Sequence, residues 1–283
     1  MGMMISSKQI ISRLKEEIKG QLSSYNGAPY ISIIQNIEDK PSKSYVKSIQ
    51  KTAEKNGFNI SLYKVDANTT EDELIEIIDA LSTDNNIDGI IVTRPYVTRM
   101  KKDIINRIHK WKDIDGQTDW NMISLYKNED GLYPATPLAV MEFFREVNYK
   151  LRGKHAVIVG RSKTVGLPLF FMLLREDATL TVCHSKTDNI KKYTEKADVV
   201  ICAAGVPHLI TKDMVENASF LVDVGINVVD GKIVGDMDID YEEFEKDEKD
   251  LKFITPVPGG VGPVTTYMLL LNTLYGMKQR GKI

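Results

Sequence analysis

HAVIVGRSKTVGLPLFFMLLR, residues 155–175, is the stretch on which the reading of the fold turns. HAVIVG (155–160) is a buried strand by length and apolarity, GRSKTVGLP is a turn, and 167–175 is a helix. A glycine where the strand ends, Gly160, lets backbone amides approach a phosphate with no Cβ in the way. Gly166 then opens a helix whose N-terminus attracts that anion. The usual G-x-G-x-x-G fingerprint is not met, because Ser162 stands where its second glycine would be. Two readings of the turn therefore stand side by side: a dinucleotide-phosphate loop, and a plain strand–helix connection.

Toward the C-terminus, LTVCHS (180–185), DVVICAAG (198–205), FLVDVGI (220–226) and FITPVPGG (253–260) continue the strand series. Pro263 to Lys278 reads as an amphipathic terminal helix that can return to the first domain. Toward the N-terminus, residues 7–24 place Ile10, Ile11, Leu14, Ile18 and Leu22 at helical spacing, and APYISIIQ (28–35) is a short strand. A helix from Ser42 to Lys55 stops at Asn56-Gly57; a strand at 59–65, a helix from Thr70 to Leu81 and the strand IDGIIVT (87–93) follow. Strands alternating with helices of this length predict parallel sheets in an α/β protein. Pro134 and Pro137 frame a boundary before a helix at 138–149. The predicted organisation is an α/β domain of residues 1–136 plus 264–283, and a Rossmann-like, doubly wound domain of 137–263. Ligands bind such sheets at strand C-termini.

The chain has 283 residues, enough for two domains, and 37 Lys+Arg against 39 Asp+Glu for a net charge of −2. That balance, without basic blocks, lacks the electrostatic footprint of a nucleic-acid binder. The N-terminus mixes charges into its apolar positions, which excludes a signal peptide or a membrane span there, and a cytoplasmic protein is expected. Cys183 and Cys202 make neither a disulfide framework nor a zinc site, so no metal is expected; both lie on apolar strands as small hydrophobes. His109, His155 and His208 have no metal-like spacing.

An NAD-specific site usually carries an acidic residue at the end of its second strand, to hold the ribose hydroxyls. Here that strand ends His184-Ser185-Lys186-Thr187, with no carboxylate before Asp188. Arg161 and Lys186 can meet a 2′-phosphate with charge and Ser185 with a hydroxyl, which points to NADP. The competing reading makes them solvated loop residues. His184 supports the strand end.

GRSKTVGLP, TVCHSKT, DVVICAAGVP, VDVGIN, VGDMD and above all TPVPGGVGPVT resemble the methylenetetrahydrofolate dehydrogenase/cyclohydrolase (FolD) family. PSKSYVKSIQK, KDIDGQTDWN and PATPLAV extend the likeness, in the family's order, over about residues 40–270. The resemblance implies a homodimer whose N-terminal and NADP-binding domains enclose a folate cleft. It implies oxidation of methylenetetrahydrofolate to the methenyl form with NADP, followed in most members by hydrolysis to the 10-formyl form. By position, Gly160, Arg161, Ser162, Gly166, Ser185 and Ile226 would line the cofactor. Tyr45 would stack on the folate, Asp115 would bind the pterin, and Pro258, Gly259, Gly260 and Pro263 would approach the folate.

Two departures follow. The family has a lysine four residues after the tyrosine, on the same helix face; here that position is Ile49. Lys47 and Lys51 lie about 200° and 600° around the helix from Tyr45 and point away from it. Where the family's strand ends Gln-Leu-Pro-Leu-Pro, this chain reads Thr93-Arg94-Pro95-Tyr96-Val97. Thr93 thus replaces the glutamine that orients the lysine, and a new cation, Arg94, arrives. Hydride transfer depends chiefly on holding the donor carbon against the nicotinamide. Hydrolysis needs proton transfers, typically worth ~10²–10⁴ in rate, that isoleucine cannot provide. The expectation is an NADP-linked dehydrogenase with weak or absent cyclohydrolase activity.

Alternatives remain open at this level. Arg94 can substitute electrostatically for the lysine and keep both activities, or the chain is a catalytically silent folate- or NADP-binding protein. A shikimate-dehydrogenase-like enzyme would need a Lys–Asp pair on the first domain, and no such motif is found. Asp115 can be a simple turn residue in Asp-Gly, Tyr45 a packing residue, and Asn121 a local backbone cap. Lys112 and Asp113 read as solvated.

Overall fold

The computed structural model describes residues 2–96, 103–246 and 252–283. The chain begins with strand β1 (Gly2–Met4), helix α1 (Ser7–Leu22), β2 (Tyr30–Asn36), α2 (Lys40–Lys55) and β3 (Asn59–Val65). Helix α3 (Glu71–Thr83), β4 (Gly89–Val92), α4 (Asp119–Lys127) and α5 (Ala135–Glu146) follow. The middle runs β5 (His155–Val159), α6 (Gly166–Arg175), β6 (Thr179–Cys183), α7 (Lys191–Thr194) and β7 (Val199–Cys202). Then come β8 (Ile210–Thr211), β9 (Phe220–Asp223), β10 (Asn227–Val229), β11 (Lys232–Val234) and β12 (Met237–Asp238). The chain closes with α8 (Tyr241–Glu245), β13 (Lys252–Ile254) and α9 (Val261–Gln279).

The chain divides into two compact units, one of residues 1–12 and 136–265, the other of 13–135 and 266–283. The first, here the nucleotide-side unit, holds a six-stranded sheet in the order β1-β13-β9-β7-β5-β6, every neighbouring pair parallel. Its strand order reverses between β5 and β7, the topological switch point at which such sheets bind ligands. The second, the KDIDG unit, carries the parallel sheet β3-β2-β4.

Local signals explain the helix boundaries. Asp39 caps α2 by accepting from Ser42 N at 2.7 Å, and Pro41 sits in the first turn, so the helix starts before the predicted Ser42. Thr70 and Glu73 form a reciprocal capping box at the start of α3. Gly57, at φ +83°, takes the left-handed turn predicted to end α2.

Several expectations are corrected. The sequence places residues 1–12 in the N-terminal domain, but Gly2–Met4 pairs in parallel with Lys252–Ile254, and residues 1–12 cluster with the nucleotide-side unit. The strand expected over 253–260 covers only Lys252–Ile254, because Pro256 and Pro258 cannot donate to a ladder. The helix expected at 138–149 spans Ala135–Glu146, since Pro137 is tolerated in a first turn. Helix α9 is not amphipathic over its central stretch: Val264 through Leu270 are all buried, as for a helix apolar on every side. Cys183 and Cys202 are wholly buried free thiols, as read. Among the described residues, no helix is long and apolar enough to cross a membrane.

Candidate active site

In the nucleotide-side unit, β5 and β6 run in register, with Val159 beside Cys183, so Gly160 and the His184–Thr187 turn emerge side by side. Gly160 has φ +132°, and a Cβ there would lie 2.3 Å from the Ala203 carbonyl oxygen just past β7. A Cβ on Gly166 would lie 2.2 Å from Gly160 O. Both glycines are therefore required by backbone contact within the switch-point crevice. Ser162 has its own use: its Oγ accepts from Val165 N at 3.1 Å and Gly166 N at 3.4 Å, which ties the turn to the start of α6.

Arg161, Ser162 and Ser185 are exposed there, and Ile226, past β9, is 64% exposed. His184 orders the neighbouring turn, its N donating to Thr187 Oγ1 at 2.9 Å and its Nδ1 accepting from Lys186 N at 3.1 Å. The β6 end thus presents a hydroxyl, a lysine and backbone with no carboxylate before Asp188, which fits a phosphorylated ribose. Elsewhere in this unit Pro258 and Pro263 are exposed. Gly259, at φ +105°, accepts from Ser7 N at 3.0 Å, and Gly260 packs so closely that a Cβ would be 2.4 Å from Pro256 O.

Two carboxylates without an assigned role support this surface. Asp223, buried, accepts from Gly225 N at 2.9 Å, Asp236 N at 3.0 Å and Met237 N at 2.9 Å. Asp236, also buried, accepts from Ala204 N at 2.7 Å, Gly205 N at 2.8 Å and Asn227 Nδ2 at 2.8 Å. It therefore shapes the loop that follows β7. Burial pushes the Asp223 carboxyl up to about 6 against its hydrogen bonds, with the Asp236 charge adding to the rise. The aspartates stand in VDVGIN and VGDMD, but only the fold shows that each accepts from backbone across the chain.

In the KDIDG unit, Tyr45 lies half-buried on α2. Its hydroxyl is pushed well above the usual phenol range by burial and by the charge of Asp115, so it stays protonated. Asp115 is itself half-buried, and its carboxyl is pushed up to about 7. Burial is the main cause; Asp113 adds to it, while Gln117 and Arg94 oppose it. Gln117 Nε2 donates to Asp115 Oδ2, and Gln117 Oε1 accepts from Arg94 Nε at 2.8 Å. The Arg94 guanidinium lies 4.7 Å from the Tyr96 ring centroid.

The reading of Lys112 and Asp113 as solvated is wrong, since both are buried. Asp113 accepts from Gln117 N at 3.0 Å, Thr118 N at 2.7 Å and Asn121 Nδ2 at 2.8 Å. Lys112 Nζ donates to the carbonyls of Leu81, Ser82 and Asp84 at the end of α3. These hydrogen bonds offset part of the cost of burial, which still pushes Lys112 down to about 8 and the Asp113 carboxyl up. Asn121 does act on backbone, accepting from Leu132 N at 3.0 Å and donating to Lys110 O at 3.0 Å. Asp115 is both a turn residue and a cluster member, since Gly116 N donates back to Asp113 O at 3.0 Å.

Thr93 is kept out of this cluster by its own bond: its Oγ1 accepts from Asn36 N at 3.1 Å, joining the ends of β2 and β4. Ile49 is fully buried on α2 in a stripe with Val46 and Ala53, whereas Lys47 and Lys51 are exposed. Val97 lies outside the described residues.

Residues 5–115 match the family model for the catalytic domain of tetrahydrofolate dehydrogenase/cyclohydrolase, and residues 134–281 match the model for its NAD(P)-binding domain. The chain is 40% identical to the bifunctional protein FolD of Campylobacter hominis over 99% of its own length and 98% of the relative's. The crystal structure of the bifunctional dehydrogenase/cyclohydrolase FolD from Campylobacter jejuni superposes with a TM-score of 0.91 at 39% identity, covering 99% of this chain and 100% of that one. The Trypanosoma brucei dehydrogenase–cyclohydrolase, solved with NADP and an inhibitor, gives 0.90 at 30% identity, covering 100% of this chain and 99% of that one. With both domain models matched in order and the likeness spanning the full chain, the protein belongs to the tetrahydrofolate dehydrogenase/cyclohydrolase family.

Proposed function

We propose that this protein is an NADP-dependent methylenetetrahydrofolate dehydrogenase that forms methenyltetrahydrofolate, with the hydrolysis to 10-formyltetrahydrofolate weak or lost. The observation that carries the reading is the side chain four residues after Tyr45: Ile49 is apolar and fully buried, so it can neither charge nor carry a proton. Among the described residues, Arg94 is the cation whose charge acts on Asp115.

NADP supplies the hydride acceptor when bound. Gly160 and Gly166 keep the turn open to its phosphates, Arg161 and Ser185 meet the 2′-phosphate, and Ser162 and Ile226 flank it. Pro258, Gly259, Gly260 and Pro263 offer backbone and ring edges to folate. In the KDIDG unit, the neutral Tyr45 ring stacks on the pterin and the Asp115 carboxylate accepts from its N–H groups. These residues bind and orient, and orientation is what hydride transfer chiefly demands. Arginine in place of an amine stabilises charge but is a poor base.

Both steps are measured on the purified protein. NADPH formation from methylenetetrahydrofolate should be robust, and methenyl hydrolysis ~10²–10⁴-fold below that of a bifunctional relative. Ile49→Lys should raise hydrolysis, because a lysine buried there has a lowered pKa suited to proton transfer near neutrality. Robust hydrolysis by the unmodified protein overturns the reading. A second reading, in which Arg94 preserves hydrolysis, predicts that Arg94→Ala abolishes it selectively.

A further inference from the structure

We propose that Gln117 is a positioning residue for the folate reaction: its side-chain amide, oriented by Arg94, fixes one oxygen of the Asp115 carboxylate and leaves the other for the substrate. The inference rests on the substrate-binding role given above to Asp115 and adds the group that holds it.

The geometry leaves the amide one orientation. Its oxygen faces a guanidinium Nε–H, which can only donate, and its nitrogen faces a carboxylate oxygen, which accepts. A flipped amide would set N–H against N–H and oxygen against oxygen. Both ends of this bridge are anchored. The Gln117 backbone N donates to buried Asp113 at 3.0 Å, directly after Gly116, which at φ +62° sits so close to Leu132 O that a Cβ would be 2.5 Å away. Arg94 is steadied over the Tyr96 ring.

The bridge also sets how Asp115 feels charge. Asp115 is faced by Tyr45 from α2, by Arg94 and Tyr96 from the segment after β4, and by Asp113 and Gln117 from its own loop. A bidentate ion pair with Arg94 would draw the carboxyl down strongly. With an amide between them, burial outweighs the cation, and the carboxyl stays near neutrality instead.

Gln117→Leu removes the donor to Asp115 and the acceptor for Arg94. The expected result is a rise of about ten-fold in the KM for methylenetetrahydrofolate with kcat little changed, as for loss of one charge-assisted hydrogen bond. The acid limb of kcat/KM should move to higher pH, and Gln117→Glu, which sets a second carboxylate beside Asp115, should move it further the same way. A readout independent of turnover is the ¹³C carboxyl resonance of Asp115, assigned with Asp115→Asn, whose midpoint should rise in Gln117→Leu. Should Gln117→Leu fail to fold, Arg94→Leu, which removes the group that orients the amide, is read in the same way. An unmoved carboxyl midpoint overturns the proposal, as does a moved midpoint with an unchanged KM. If the unmodified protein turns over no folate, the functional reading fails; the resonance then still tests the Asp115–Gln117 contact by itself.

Discussion

Gly160 and Asp115 belong to the two candidate surfaces, and their neighbours fix them by different means. Around Gly160 the backbone does the shaping: φ is +132°, the Ala203 carbonyl occupies the space of a Cβ, and the side chains beside it point into water. Around Asp115 the side chains shape one another, from Arg94 through Gln117 to the carboxylate, above the buried Asp113 scaffold. A surface set by backbone tolerates few changes at its glycines but lets exposed residues vary singly. A surface set by a side-chain chain changes as a group. In this chain the first surface is built on Gly160 and Gly166, and the second carries Ile49, Thr93 and Arg94, where the resemblance implies a lysine at the first of these positions and a glutamine at the second.

The comparison can be broken by substitution on either side. Gly160→Ala should be the most damaging, because it sets a Cβ against a carbonyl at a φ that L residues rarely adopt. Strain of this kind costs about 1–3 kcal/mol before the backbone moves, and NADP affinity should fall with thermal stability. Stable protein with unaltered NADP titration would show that the backbone does not set this surface. Arg161→Ala should cost less and act selectively, since the side chain is exposed. Loss of a charge-assisted contact of about 1.5–3 kcal/mol predicts a ~10–100-fold higher KM for NADP, with little change for NAD and none in melting temperature. An equal rise for both cofactors would remove the 2′-phosphate assignment.

Lys112→Met sharpens the contrast from the other unit and should have the smallest effect. It orphans carbonyls at the end of α3, and denaturant unfolding should register a loss of about 1–2 kcal/mol with both KM values unchanged. A change in folate KM would mean that the scaffold and the Asp115 cluster are coupled.

Legibility in the sequence follows the same line. Strands and helices could be read because their apolar periods are local, and the glycine turn because Gly160 and Gly166 flank it in the chain. Lys112, Asp113 and Asp236 could not. In sequence Lys112 and Asp113 sit in a polar, turn-forming run, and their burial depends on partners elsewhere. Lys112 is 28–31 residues from the carbonyls it satisfies, and Asp236 is 31 and 32 residues from the amides it holds. Helix α9 misled in the opposite sense, since its polar threonines suggest a solvent face where the fold buries them.

Composition, period and motif alone decided that this is a two-unit parallel α/β chain with a glycine-flanked strand–helix turn at 160–166, and that the position four residues after Tyr45 holds no amine. Such facts are carried by neighbours a few residues apart. Tertiary structure alone decided that Thr93 joins strand ends instead of entering the cluster, that Arg94 reaches Asp115 through Gln117, and that the aspartates behind both surfaces are buried acceptors. The physical reason is that a charge or amide declares its role only through its partner, and here those partners lie in other turns and strands, brought close by the fold.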